Sequence, residues 1–370
     1  MYSDRMVQEF MELAAIDAPS RRERQMADAL KQKLIALGCR VTEDHAGDAI
    51  GGTAGNLIAV LDGTAGKPLL LSAHMDRVPN GEGVCPVLQE DRITSDGRTV
   101  LAADDLAGVV SILEGLRRLR ESGLPHGRVE IVFTVCEEQL VGGSSNLDYS
   151  LLTAKHAYCF DSPGHTGRII NAAPYKVRLD LDVYGRPAHA GQAPEKGVNA
   201  LKMGARILAE LDEGRIDHET TANWALMTAG NVTNVVCAHV KIGGEARSRD
   251  PKKLQAYVDY VKAHCAQTLA QTEATCEVTV IPCFDGFLVP PDDELLTTLC
   301  AVMEQQGLTP LIEGGGGGMD ANNFNARGIK SVGVATGYFK NHSVEELLYI
   351  DDLHRAGQLV FDLILAYAQK

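Results

Sequence analysis

Apolar residues recur at helical spacing over residues 4–14 and 20–37, with Ser20 placed to cap the second helix and Gly38 to end it. Short apolar runs follow at 56–61, 68–72, 129–135 and 157–160. They are too short for helices and rich in aliphatic side chains, so they predict buried strands. Residues 105–119, lying among these runs, return to helical periodicity. Buried strands alternating with helices predict an α/β domain with a mainly parallel central sheet.

The pattern changes after about residue 173. The segment KVRLDLDVY, residues 176–184, alternates Val177, Leu179, Leu181 and Val183 with polar residues, which predicts a strand with one wet face. A helix near 198–211, strands near 231–236 and 239–246, a helix opening at Asp250-Pro251 and a strand at 276–283 complete a β-α-β-β-α-β order. After residue 284 the α/β style resumes, with a strand at 331–336 and a helix at 351–368. The expected organisation is one discontinuous α/β domain, 1–173 and 284–370, interrupted by a smaller α+β (ferredoxin-like) domain at 174–283.

A chain of 370 residues exceeds one ordinary core, and with 45% apolar residues it can bury two. The formal net charge is −14 with no Lys/Arg cluster, which argues against a nucleic-acid partner. Nine cysteines without a C-x-x-C pair point away from a disulfide framework and towards a reducing compartment. No apolar run reaches membrane-spanning length, and the amphipathic start MYSDRMVQEFMELAAI has no cationic region followed by an apolar one. The expectation is a cytoplasmic protein without membrane association.

The chemistry gathers at strand ends. The run 68–72 leads into Ala73-His74-Met75-Asp76, and ligands in open α/β sheets collect at the carboxyl ends of strands. His74 and Asp76, two apart in an extended segment, point the same way, so one can bind a metal while the other orients it. In isolation the H-x-D pattern is weak, and a polar strand end is the simpler reading. Asp104-Asp105 opens a helix and reads either as acids favoured by the helix dipole or as a bridging carboxylate. The run 129–135 delivers Glu137-Glu138, where one can bind metal and its neighbour serve as general base. The run 157–160 delivers Asp161, and the strand at 331–336 is followed by His342. A paired metal site needs a shared carboxylate plus His and carboxylate for each ion, and His74, Asp104, Glu138, Asp161 and His342 supply that set.

The series HMD at 74–76, ADDLAG at 103–108, CEE at 136–138, FDSPG at 160–164 and NHSVEE at 341–346 resembles the di-zinc exopeptidase family, which includes peptidase T, glutamate carboxypeptidase and aminoacylase. The likeness covers nearly the whole chain. GGGGGMDANNFNARGI at 314–329 and GRPAHAG at 185–191 are most similar to peptidase-T-like tripeptidases. The resemblance implies a tripeptidase-like aminopeptidase acting on small peptides through water activated at two divalent ions, zinc with cobalt or manganese as alternatives. It implies His74 and Asp161 on one ion, Glu138 and His342 on the other, Asp104 rather than Asp105 between them, Glu137 as general base and Asp76 behind His74. In the inserted domain, read as a lid that also serves homodimerisation, it implies His189 at the substrate carbonyl, Arg247 on a substrate carboxylate and Asn234 as a polar contact. A deacylase or carboxypeptidase with the same site is the alternative activity, and a binding protein that keeps only the fold is a further one.

The sequence also departs from the family. Leu106 stands where many relatives carry Lys, and glycines surround Gly316 where peptidase T has an Arg-Gly-Gly run. A structural role competes for His189, and a surface ion pair for Arg247. His45, His126, His156 and His165 fall outside the motifs and read as surface or satisfied core histidines. The glycines at 314–318 are not followed by Gly-Lys-Ser/Thr, which argues against a phosphate loop and leaves a substrate-side loop.

Overall fold

A computed structural model describes residues 4–370 of the chain. The first three residues of the amphipathic N-terminal segment lie outside the described residues. The chain divides into two compact units, Met1–Ala172 with Leu288–Lys370, and Ala173–Phe287.

The first unit is built on a nine-stranded sheet. Four strands at its centre run parallel, in the order Val129–Thr134, Leu69–His74, His156–Ser162 and Lys330–Ala335. Every residue of Val129–Thr134 and Leu69–His74 is buried, which explains their unbroken apolar character. Parallel pairing puts the carboxyl ends of all four on one edge of the sheet. Leu57–Leu61 extends the sheet antiparallel to Val129–Thr134, followed by Arg40–Glu43. On the other side Arg168–Ala173 pairs antiparallel with Lys330–Ala335 and parallel with Leu311–Gly314.

Helix Ala103–Ser122 packs against Leu69–His74 and His156–Ser162, and the C-terminal helix Ile350–Ala368 packs on it in turn. Two glycines make this packing close. A Cβ on Gly115 would stand 2.2 Å from Val360 Cγ1, and one on Gly108 would stand 2.2 Å from the Phe160 carbonyl oxygen. Gly108 thereby brings the helix start, with Asp104 and Asp105, down onto the strand that carries Asp161.

Ser20 does not cap a helix. The helix begins four residues later, at Arg24–Ala36, and the Ser20 hydroxyl donates to Asp76 Oδ2 at 2.6 Å. Gly38 follows the last turn at φ +93°, the left-handed conformation that favours glycine there.

The second unit is an antiparallel sheet with the central order Thr220–Ala229, His239–Ser248, Tyr175–Tyr184 and Thr275–Phe284, carrying helices Ala200–Glu210 and Pro251–Leu269. Asp250 caps the second of these through Lys252 N at 2.8 Å, with Pro251 opening it. Leu179, Leu181 and Val183 meet Ile242 and Val261 in its core.

The expected strand at 231–236 is not there. That segment is a loop in which Val235 makes one bridge to His189, and Val232 and Val235 are exposed. The strand is Thr220–Ala229, whose outer positions are exposed and whose register shifts at a bulge between Trp224 and Leu226. The bulge breaks the period-two pattern, whereas β-branched residues at 231–236 imitate it. No helix among the described residues is long and apolar enough to cross a membrane.

Candidate metal centre

His74 ends strand Leu69–His74 and is buried. Its Nδ1 lies 3.1 Å from the Asp76 carbonyl oxygen and 3.4 Å from Asp76 Oδ1. An Nδ1–H donated to either acceptor leaves the Nε2 lone pair free for a cation. That Nε2 lies 3.2 Å from Asp104 Oδ1 and 3.8 Å from Asp161 Oδ1.

Asp104 presents its second oxygen the other way, with Oδ2 3.2 Å from His342 Nε2. His342 Nε2 in turn lies 3.0 Å from Glu138 Oε1. Two trios result, His74–Asp104–Asp161 and Asp104–Glu138–His342, each with its ligand atoms within 4.8 Å of one another. Asp104 belongs to both. Asp105 turns away, its Oδ2 accepting from the His74 backbone N–H at 3.1 Å and its Oδ1 from Gly108 N at 3.3 Å.

The residues fit a pair of cations. Glu138 Oε1 is buried and has no hydrogen-bond partner among the described residues, although His342 Nε2 is close enough for one. The charge balance agrees. Burial, then the charge of Asp161, pushes the Glu137 carboxyl well above the usual carboxylate range. Burial lifts Asp161 to about 8 and raises Glu138 as well. Asp104, then Glu138, raise the His342 imidazole to about 10. Carboxylates crowded in a low-dielectric site without enough positive charge are costly, and divalent ions remove that cost. Imidazole nitrogen and carboxylate oxygen are donors suited to zinc.

Glu137 and Glu138 follow strand Val129–Thr134, and Asp76 fixes both: Oδ1 accepts from Glu137 N at 2.8 Å and Oδ2 from Glu138 N at 3.3 Å. A cavity of about 280 Å³ opens on the group, lined by Asp104, Glu137, Glu138, Asp161 and His342. Gly315–Gly318 form part of its wall, beside Tyr338 and Asn341. Neither is among the expected site residues, although Asn341 opens the NHSVEE motif and Tyr338 stands three residues before it. Tyr338 donates its hydroxyl to Asp161 Oδ1 at 3.1 Å, and Asn341 Nδ2 donates to Asp104 Oδ2 at 2.8 Å.

His189, Asn234 and Arg247 all lie in the second unit. His189 is exposed, and its Nδ1 accepts the backbone N–H groups of Gly191 and Gln192, each at 3.2 Å. That leaves Nε2 as the ring donor. The Asn234 backbone carbonyl accepts from Ala190 N at 2.9 Å, which ties it to the His189 loop. Arg247 sits on strand His239–Ser248 and pairs with Glu245 at 2.7 Å.

Parallel strands whose ends gather two trios of candidate metal ligands around one shared carboxylate are the arrangement a metal-dependent hydrolase needs. Two family models match the chain: a peptidase dimerisation domain over residues 172–273, and peptidase family M28 over residues 56–190. The uncharacterized protein YqjE of Bacillus subtilis is 36% identical over 97% of both chains. The crystal structure of aminopeptidase PepT from Bacillus cereus is 38% identical, with a TM-score of 0.90 over 99% of this chain and 98% of that one. A tripeptidase structure from Staphylococcus aureus is 32% identical, with a TM-score of 0.93 over the same shares. The chain belongs to the di-zinc exopeptidase family, in its peptidase-T-like branch, and its activity is metal-dependent peptide hydrolysis.

Proposed function

We propose that the protein is an aminopeptidase that removes the N-terminal residue from tripeptides, with a paired zinc site as its catalytic centre. In this reading His74 and Asp161 would hold one ion, Glu138 and His342 would hold the other, and Asp104 would be shared by both. The observation that carries it is the position of Asp104, with one carboxylate oxygen 3.2 Å from each histidine Nε2. Zinc suits this nitrogen and oxygen donor set, and cobalt and manganese are alternatives. Ions held there supply Lewis acidity to a peptide carbonyl and make water ionisable near neutral pH.

The chain's own groups do the rest. Glu137, at the cavity wall, takes a proton from the attacking water and passes it to the leaving amine. Asp76 holds His74 and the Glu137 backbone in place. The inserted unit acts as a lid and as the homodimer contact, which the match to a peptidase dimerisation model supports. On it, the His189 Nε2–H donates to the developing oxyanion, Arg247 grips the substrate carboxylate, and Asn234 adds a polar contact. The unbridged cysteines suit a reducing compartment, and we place the activity in the cytoplasm.

The test is a panel of tripeptides, dipeptides and N-acyl amino acids assayed with zinc, cobalt or manganese and again after chelation. Release of the N-terminal residue from tripeptides, lost on chelation and restored by metal, is the expected result. Preference for acyl amino acids moves the reading to a deacylase, and release of the C-terminal residue moves it to a carboxypeptidase.

A further inference from the structure

Two buried glutamates outside the proposed ligand set grip the backbone just ahead of proposed site residues. Glu346 Oε2 accepts the N–H groups of Leu101 at 2.7 Å and Ala102 at 3.0 Å, and its Oε1 accepts that of Asp104 at 2.9 Å. Glu23 Oε1 accepts the N–H groups of Arg21 at 2.7 Å and Cys136 at 3.0 Å. Relative exposures are 1% for Glu346 and 0% for Glu23, and neither lines the cavity.

At each site one of the gripped residues just ahead of the metal centre is left-handed. Ala102 has φ +65° and Cys136 has φ +53°, a region that side chains with a Cβ avoid. Each is followed within two residues by a group of the metal centre, Asp104 after Ala102 and Glu137-Glu138 after Cys136. A left-handed residue reverses the local direction of the chain, so a small change in its φ or ψ swings the side chains after it. A buried N–H needs an acceptor in any case. A buried carboxylate is a costly choice of acceptor, because its charge must be desolvated. Its use at both turns points to a requirement stricter than satisfying the N–H.

We propose that Glu23 and Glu346 are positioning residues, which lock the left-handed turns at Cys136 and Ala102 and so set the reach of Glu137-Glu138 and of Asp104 towards the paired ions. The inference rests on the ligand assignment proposed above. Metal and catalytic constellations tolerate only about 0.5 Å of error, so loosening either turn should act on ion affinity before it acts on the fold.

The experiment uses the full chain and zinc alone as the probe. Glu23→Ala, Glu23→Gln, Glu23→Asp, Glu346→Ala and Glu346→Gln are compared by calorimetric zinc titration, by thermal melts of the metal-free protein and by steady-state kinetics. Glu23→Gln keeps the acceptor and is expected within about threefold of wild type. Glu23→Ala, and Glu23→Asp with its carboxylate withdrawn by one methylene, should weaken one of the two zinc sites by roughly 10–100-fold and lower kcat with little change in KM. Glu346→Ala should weaken both sites, because Asp104 is shared, and Glu346→Gln should fall between it and wild type.

Folded variants whose zinc affinities match wild type, with only the melting temperature lowered, would overturn the proposal. Failure of Glu23→Gln to fold would do the same, since its acceptor is intact. A wild-type chain that binds no zinc strikes the ligand assignment instead, so the two failures are distinguishable.

Discussion

The carboxylate of Asp76 accepts the backbone N–H of Glu137 at 2.8 Å, which joins the residue behind His74 directly to the proposed general base. In the proposed reading, one residue thus orients a ligand and places the base. Asp76→Ala is expected to lose roughly 10–100-fold in metal affinity, the usual cost of removing a partner behind a ligand. Turnover should fall further than saturating metal restores. Calorimetric titration alongside kcat at saturating zinc measures both, and full rescue of kcat by metal would remove Asp76 from any role in placing Glu137.

Glu137→Ala is expected to bind metal as wild type does and to lose roughly 10²–10⁴-fold in kcat, the contribution of general acid–base help. Metal content by elemental analysis and kcat under substrate saturation are the two readouts. Retention of wild-type turnover would require another residue as base.

Stoichiometry separates the two trios. Wild-type protein loaded with zinc should approach two ions per chain. His342→Ala, which removes a ligand from one trio only, should approach one, and Asp104→Ala should weaken both. Elemental analysis after gel filtration reads this directly, and two firmly held ions in Asp104→Ala would contradict the shared carboxylate.

His189 and Arg247 should fail differently. His189→Ala is expected to lower kcat by about 10²–10³-fold with metal content intact, as loss of an oxyanion donor does. Arg247→Ala should mainly raise KM for peptides with a free carboxylate, and much less for their amides. Equal losses for acid and amide would show that Arg247 does not read the terminus.

Burial, aided by the charge of Asp76, pushes the Glu23 carboxyl from 4.5 up to about 7. A raised carboxyl favours the folded state most below its unfolded value, and that stability is lost as pH rises through the folded value. The shift corresponds to about 3 kcal/mol across that window. Metal-free protein should therefore lose stability between pH 4.5 and 7, and Glu23→Gln should flatten part of that slope. Chemical denaturation at a series of pH values checks it, and parallel slopes for the two proteins would refute it.

Much of the first unit was legible in the sequence because its signals are local. Unbroken apolar runs such as the one ending at His74 specify buried parallel strands, and parallel strands end on one edge of a sheet. The acids and histidines following those runs are therefore candidates for a common site from the sequence alone. In the second unit, Asp250-Pro251 marked a helix start for the same local reason.

What the sequence could not carry was everything that depends on approach between distant segments. Ser20 has the chemistry of a helix cap, yet its hydroxyl meets Asp76 across 56 positions of chain, and no local pattern encodes that meeting. The strand Thr220–Ala229 has no clear sequence signal because a bulge shifts its phase and its neighbours supply its hydrogen bonds. Residue chemistry alone does not separate Asp104 from Asp105, which only the family resemblance tells apart; the close seat of Gly108 on Phe160 and the backbone N–H of His74 send one into the cavity and the other into the fold. Glu23 carries no local signal and Glu346 only its place at the end of the NHSVEE motif; tertiary packing buries them against the turns at Cys136 and Ala102. Periodicity and strand-end chemistry are written residue by residue along the chain, whereas the direction of a buried carboxylate is set by whichever N–H groups the packed fold leaves for it to satisfy.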